Sequence, residues 1–117
     1  MGHDQRFPPN HLRVERAKVA GYLLNRDHTD GRSKAIFFER FGFKTEEWET
    51  LAQALRAHGR TQPVVSLVET SRGARYIVEG EVASPDGRNP WIRTVWIVEG
   101  EPSEARLITA YPHLEPR

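Results

Sequence analysis

The sequence predicts an α+β fold, with two or three N-terminal helices packed on a four-stranded antiparallel β-meander. Two observations carry that prediction. Apolar residues follow helical spacing up to about His58, and beyond Pro63 the period switches to extended alternation in four runs, VVSLVET, ARYIVEGEVAS, WIRTVWIVEG and ARLITAY. The 117 residues suit one domain, spanning 12–117, that buries a core without a disulfide or metal staple.

Residues 1–11, with tandem prolines and no periodicity, read as an extended arm. Val14, Ala17, Val19, Ala20, Leu23 and Leu24 partly follow helical spacing and predict a helix over 12–24, weakened by Gly21. Asn25 to Gly31 is loop chemistry. Ser33 caps a second helix over 33–41 that is apolar around most of its circumference, and Gly42 closes it. A third helix over 45–58 opens on Thr45, Glu46 and Glu47, where the dipole favours negative charge. It carries the clearest stripe in the chain, Trp48, Leu51, Ala52 and Leu55, before Gly59 ends it. Strands follow over 63–70, 74–84, 90–99 and 104–111, joined by turns at Ser71-Arg72-Gly73, Pro85-Asp86-Gly87 and Gly100 to Ser103. A four-residue last loop would set Thr94 across from Thr109 and Trp96 across from Leu107, gathering Thr94, Trp96, Thr109 and Tyr111 on one face. A slip by one residue would swap the faces.

With no cysteine, thiol nucleophiles and thiolate zinc sites are excluded, which is compatible with a reducing cytoplasm. Seventeen basic and sixteen acidic residues leave a net charge of +1, so phosphate binding has to come from a local cluster. The apolar runs fall far short of the ~20 residues a bilayer span needs, and the N-terminus lacks a signal-peptide core, predicting a cytoplasmic protein with no membrane partner. The five histidines have no metal-ligand spacing, so neither metal nor other cofactor is expected.

The richest stretch for chemistry is NRDHTDGRSKAIFFERFGF, residues 25–43. His28 can move a proton near neutral pH and Lys34 can hold a fixed charge beside an anion. Arg32 and Arg93 can assist it. Each has a plainer reading: a solvated loop histidine, an exposed lysine, an arginine paired to a carboxylate, and Thr109 and Tyr111 chosen for β propensity. Phe37, Phe38, Phe41, Phe43 and Trp48 read as core, and His58 and His113 as surface residues.

YLLNRDHTDGRSKAIFFERFGF followed by YIVEGEVASPDGRNPWIRTVWIVEGEPSEARLITAYP resembles a bacterial family, domain of unknown function 6883, seen beside toxin and antitoxin modules. The same order of parts is similar to a superfamily of small ribonuclease toxins uniting barstar-like, EndoU-like, colicin-like and RelE-like folds. That resemblance implies metal-independent RNA cleavage by attack of a 2′-hydroxyl on the adjacent phosphate. By position it assigns His28, Lys34, Thr109 and Tyr111 as catalytic, with His28 as base or acid and Lys34 stabilising the transition state. EndoU-like members present two histidines, and the second candidates here are His11 and His58. Arg32, Arg93, Thr94 and Trp96 are the substrate-binding candidates, with Tyr111 or Trp96 able to stack on a base. RNA is then the substrate, and an antitoxin or immunity protein the cognate partner. The competing expectation is a non-catalytic antitoxin, immunity protein or inhibitor using the open sheet face, which the near-neutral charge favours. RNA binding without cleavage is a third.

Overall fold

The computed structural model describes Phe7, Pro9, residues 11–99 and residues 104–113. The fold is α+β. In chain order it has β1 (Leu12–Arg13), α1 (Arg16–Lys18) running into a π-helix (Val19–Leu23), α2 (Arg32–Arg40), a 3₁₀ turn (Thr45–Glu47) and α3 (Trp48–Thr61). Then come β2 (Val64–Thr70), β3 (Gly73–Glu81), β4 (Trp91–Val98) and β5 (Ala105–Pro112). The sheet order is β1-β5-β4-β3-β2, with β1 parallel to β5 and every other pair antiparallel.

The expected four-stranded antiparallel meander is therefore corrected to a five-stranded mixed sheet. The helices lie between β1 and the later strands in the chain rather than ahead of the whole sheet. The reason is physical. A two-residue strand has no periodicity to read, and β1 exists because β5 offers a free edge: Leu12 pairs with Ala105, and the Ala105 N–H donates to the His11 carbonyl at 3.0 Å. Glu15 is extended (φ −82°, ψ 148°), so helix begins only at Arg16. One more residue than an α-turn is then accommodated, with the Leu24 N–H reaching the Val19 carbonyl at 2.8 Å. Val19, Leu23 and Leu24 enter the core, while Tyr22 among them sends its hydroxyl to β5.

The helices cover one sheet face. Leu51, Leu55 and Phe38 meet Val78, Ile92, Trp96, Leu107 and Ala110 in a single buried cluster. Gly59 does not end α3, which continues to Thr61. It sits inside that helix where a Cβ would lie 2.8 Å from Trp96 Cζ2, so the glycine marks a close helix–sheet approach. His58 beside it, expected at the surface, is only 2% exposed. Phe7 stacks on Tyr76 with ring centroids 4.7 Å apart.

In the last hairpin Trp96 pairs with Leu107 as the loop length suggests, although the loop Gly100 to Ser103 lies outside the described residues. Beyond that pair the register shifts: Val95 pairs with Thr109 and Thr94 with Ala110, leaving Ile108 as a bulge. One inserted residue reverses the faces downstream. Thr94 and Trp96 stay in the core, and Thr109 and Tyr111 align with Val95 and Arg93 on the opposite face.

Candidate functional site

A groove of about 630 Å³ opens between the π-helix, the loop before α2 and the β5 bulge, lined among others by Lys18, Tyr22, His28, Arg106 and Thr109. Tyr22 is its hub. The Tyr22 hydroxyl is 2.9 Å from Thr109 Oγ1. The Lys18 and Lys34 ammonium groups lie 5.3 and 5.5 Å from its ring centroid, within cation–π range, and the His28 ring meets it edge-on at 5.0 Å. Gly31 makes this arrangement fit, because a Cβ there would collide with the Tyr22 carbonyl oxygen.

His28 is oriented by its own loop. Its Nδ1 accepts the backbone N–H groups of Asp30 and Gly31, both at 3.0 Å, and its carbonyl accepts the Arg32 N–H at the start of α2. Backbone amides only donate, so the neutral ring carries its proton on Nε2. The ring thus has an Nε2–H donor to offer, with Nδ1 already occupied. Lys34 Nζ donates to the Asp30 carbonyl at 3.2 Å, tying α2 back to the same loop. Arg32 is exposed in the first turn of α2.

Tyr111 lies two residues beyond Thr109 on β5, in a second cluster. Arg93 Nη1 reaches the Tyr111 hydroxyl at 3.5 Å, and its guanidinium carbon is 5.9 Å from that ring. Arg93 also binds Glu79, donating from Nε at 2.7 Å and from Nη2 to the same oxygen, Oε2. The bonds to Tyr111 and Glu79 hold the guanidinium above its ordinary pKa. His113 Nε2 is 3.4 Å from Glu79 Oε2.

Thr94 and Trp96 meet no solvent. Trp96 Nε1–H donates to Thr94 Oγ1 at 2.8 Å, and Thr94 Oγ1 is 3.0 Å from His58 Nδ1. Only a protonated His58 Nε2 can bond the Gly80 carbonyl, 3.1 Å away, so the Thr94 hydroxyl donates to Nδ1. Burial depresses the His58 pKa from 6.5 to about 4, against smaller opposing effects of backbone hydrogen bonds to Gly80 and Ile92.

The structure thus gathers His28, Lys34 and Thr109 around Tyr22, sets Tyr111 and Arg93 in a second cluster farther along the sheet, and withdraws Thr94 and Trp96 into the core. Tyr22, Lys18, Glu79 and Arg106 were not singled out by sequence. For Glu79 a signal existed: counting outward from the three-residue turn Pro85-Asp86-Gly87 pairs it with Arg93, as observed. For Tyr22 none existed, because its direction depends on the π-turn.

Residues 9–114 match the model of the family described as Domain of unknown function (DUF6883). The chain belongs to the DUF6883 family. Among curated proteins none matches. A chain of the contact-dependent growth inhibition toxin–immunity protein complex from Klebsiella pneumoniae 342 is similar in fold to this DUF6883 domain. The TM-score is 0.68 at 18% identity, over 86% of this chain and 98% of that one. Among the described residues, no helix is long and apolar enough to cross a membrane.

Proposed function

We infer that this DUF6883 domain is a metal-independent endoribonuclease-like toxin domain, cleaving RNA by attack of a 2′-hydroxyl on the adjacent phosphate. The observation that supports the reading is the Tyr22-centred groove, where two ammonium groups, an imidazole and a threonine hydroxyl converge on one tyrosine. Fixed cations and donors of this kind stabilise an anionic transition state, and each is worth roughly a hundred- to thousandfold in rate. Lys18, Lys34 and Arg106 attract the phosphates. His28 Nε2–H and the hydroxyls of Thr109 and Tyr111 donate to the non-bridging oxygens. An immunity protein is the partner such a domain requires, in keeping with the toxin–immunity complex whose chain shares the fold.

The test is incubation with total RNA in excess chelator, comparing wild type with Lys34→Ala and Thr109→Val and analysing fragment 3′ ends. Cyclic phosphate ends that survive chelation and fall at least tenfold in both variants are expected. Intact RNA with all three proteins folded would move the assignment to a binding module. One observation favours that second reading: Val64, Val65, Leu67 and Val68, all on edge strand β2, are 41–51% exposed. Apolar side chains on an open sheet edge suit docking of a protein strand.

A further inference from the structure

A cleavage site needs a proton acceptor, and His28 is a poor one because its Nδ1 already takes two backbone N–H groups. A carboxylate stands on β3, two strands over from β5. Glu79, Arg93 and Tyr111 are side-by-side neighbours on β3, β4 and β5, through the pairs Glu79↔Arg93 and Arg93↔Tyr111. His113 extends the row just past β5, held by its N–H to the Trp91 carbonyl at 3.3 Å. Tyr111 is two residues from Thr109, about 7 Å along the strand, so this row adjoins the Tyr22 groove.

Contacts within the row are asymmetric. Arg93 Nε and Nη2 both donate to one carboxylate oxygen, Glu79 Oε2, while neutral His113 accepts from Arg93 Nη2 on its Nε2 at 3.3 Å, and that nitrogen lies 3.4 Å from Glu79 Oε2, with which it pairs once protonated. Among the described residues, Oε1 of Glu79 and Nδ1 of His113 have no hydrogen-bond partner. A carboxylate anchored through one oxygen, with its second oxygen unengaged among the described residues, is oriented to accept a proton. An imidazole held at Nε2 by Arg93 and Glu79 keeps Nδ1 directed away from both, so the protonated ring is oriented to give a proton from Nδ1. Arg93, half-buried between them, supplies fixed positive charge where phosphate charge develops.

We propose that Glu79 is the proton acceptor and His113 the proton donor of this domain, with Arg93 as the phosphate-stabilising group; this rests on the ribonuclease reading. Glu79 Oε1 takes the proton of the ribose 2′-hydroxyl as the 2′-O–P bond forms. The P–O5′ bond breaks, and the His113 imidazolium gives its Nδ1 proton to the departing 5′-oxygen. The products are a 2′,3′-cyclic phosphate and a 5′-hydroxyl. Glu79 then returns its proton, and His113 regains one, through solvent.

The experiment measures kcat/KM against pH on a fluorescent RNA oligonucleotide for wild type, Glu79→Gln and His113→Ala, with RNA affinity by anisotropy and folding by circular dichroism. Gln keeps an acceptor for Arg93, so Glu79→Gln is expected to fold. Both variants should lose about a hundred- to ten-thousandfold in rate while binding RNA within about threefold of wild type. Glu79→Gln should lose the acidic limb of the bell-shaped profile, and His113→Ala the alkaline limb. A variant within tenfold of wild type, or keeping both limbs, overturns its assignment and leaves the ribonuclease reading standing. A folded wild type that binds but cleaves no RNA overturns both.

Discussion

Lowering the pH from 7 to 5 should strip the domain of about 2 kcal/mol of stability through His58 alone. The imidazole is 2% exposed, and burial depresses its pKa to about 4 from 6.5. Above pH 6.5 both folded and unfolded chains hold it neutral, so its contribution is fully present. As pH falls below 6.5 the unfolded chain binds a proton that the folded chain refuses, and stability drops until about pH 4, where the folded form protonates too. The whole span is worth ~3 kcal/mol at about 1.4 kcal/mol per pH unit. Protonation would also break the network, because Nδ1 could no longer accept from Thr94. Urea titrations followed by tryptophan fluorescence at pH 7, 6 and 5 measure the loss, with His58→Gln as the control that cannot titrate. A wild-type stability constant within 0.5 kcal/mol over that range, or an equal loss in His58→Gln, would refute the reasoning.

Other perturbations separate groove from scaffold. Tyr22→Phe and Thr109→Val should each cost about 1 kcal/mol in urea titrations, and a double-mutant cycle should return a coupling of ~0.5–1.5 kcal/mol for their 2.9 Å bond. Gly31→Ala should destabilise by about 1–3 kcal/mol, because the new Cβ meets the Tyr22 carbonyl; equal melting temperatures would count against the packing described. Lys18→Ala and Lys34→Ala should each reduce the salt dependence of RNA affinity, with the slope of log K against log salt falling by about 0.7–1. Leu67→Lys on β2 should change stability by less than about 0.5 kcal/mol while lowering self-association or partner binding at that edge, read by light scattering.

Local chemistry is what the sequence determined by itself. The Trp48, Leu51, Ala52 and Leu55 stripe made α3, and alternation marked β3 to β5 because one sheet face is sealed by helices. Pro85-Asp86-Gly87 turned β3 into β4 and thereby placed Glu79 beside Arg93. Tertiary structure decided whatever depended on distant partners. Leu12–Arg13 became a strand because β5, some ninety residues later, had an open edge. His58 and Gly59 looked like a helix end, and packing against Trp96 carried the helix on and buried them. The bulge at Ile108 sent Thr109 and Tyr111 to the face opposite Thr94 and Trp96, and the π-turn aimed Tyr22 at Thr109. A one-residue insertion costs little locally and reverses every side chain beyond it, so periodicity could nominate the groove's residues while only the assembled sheet could say which of them meet.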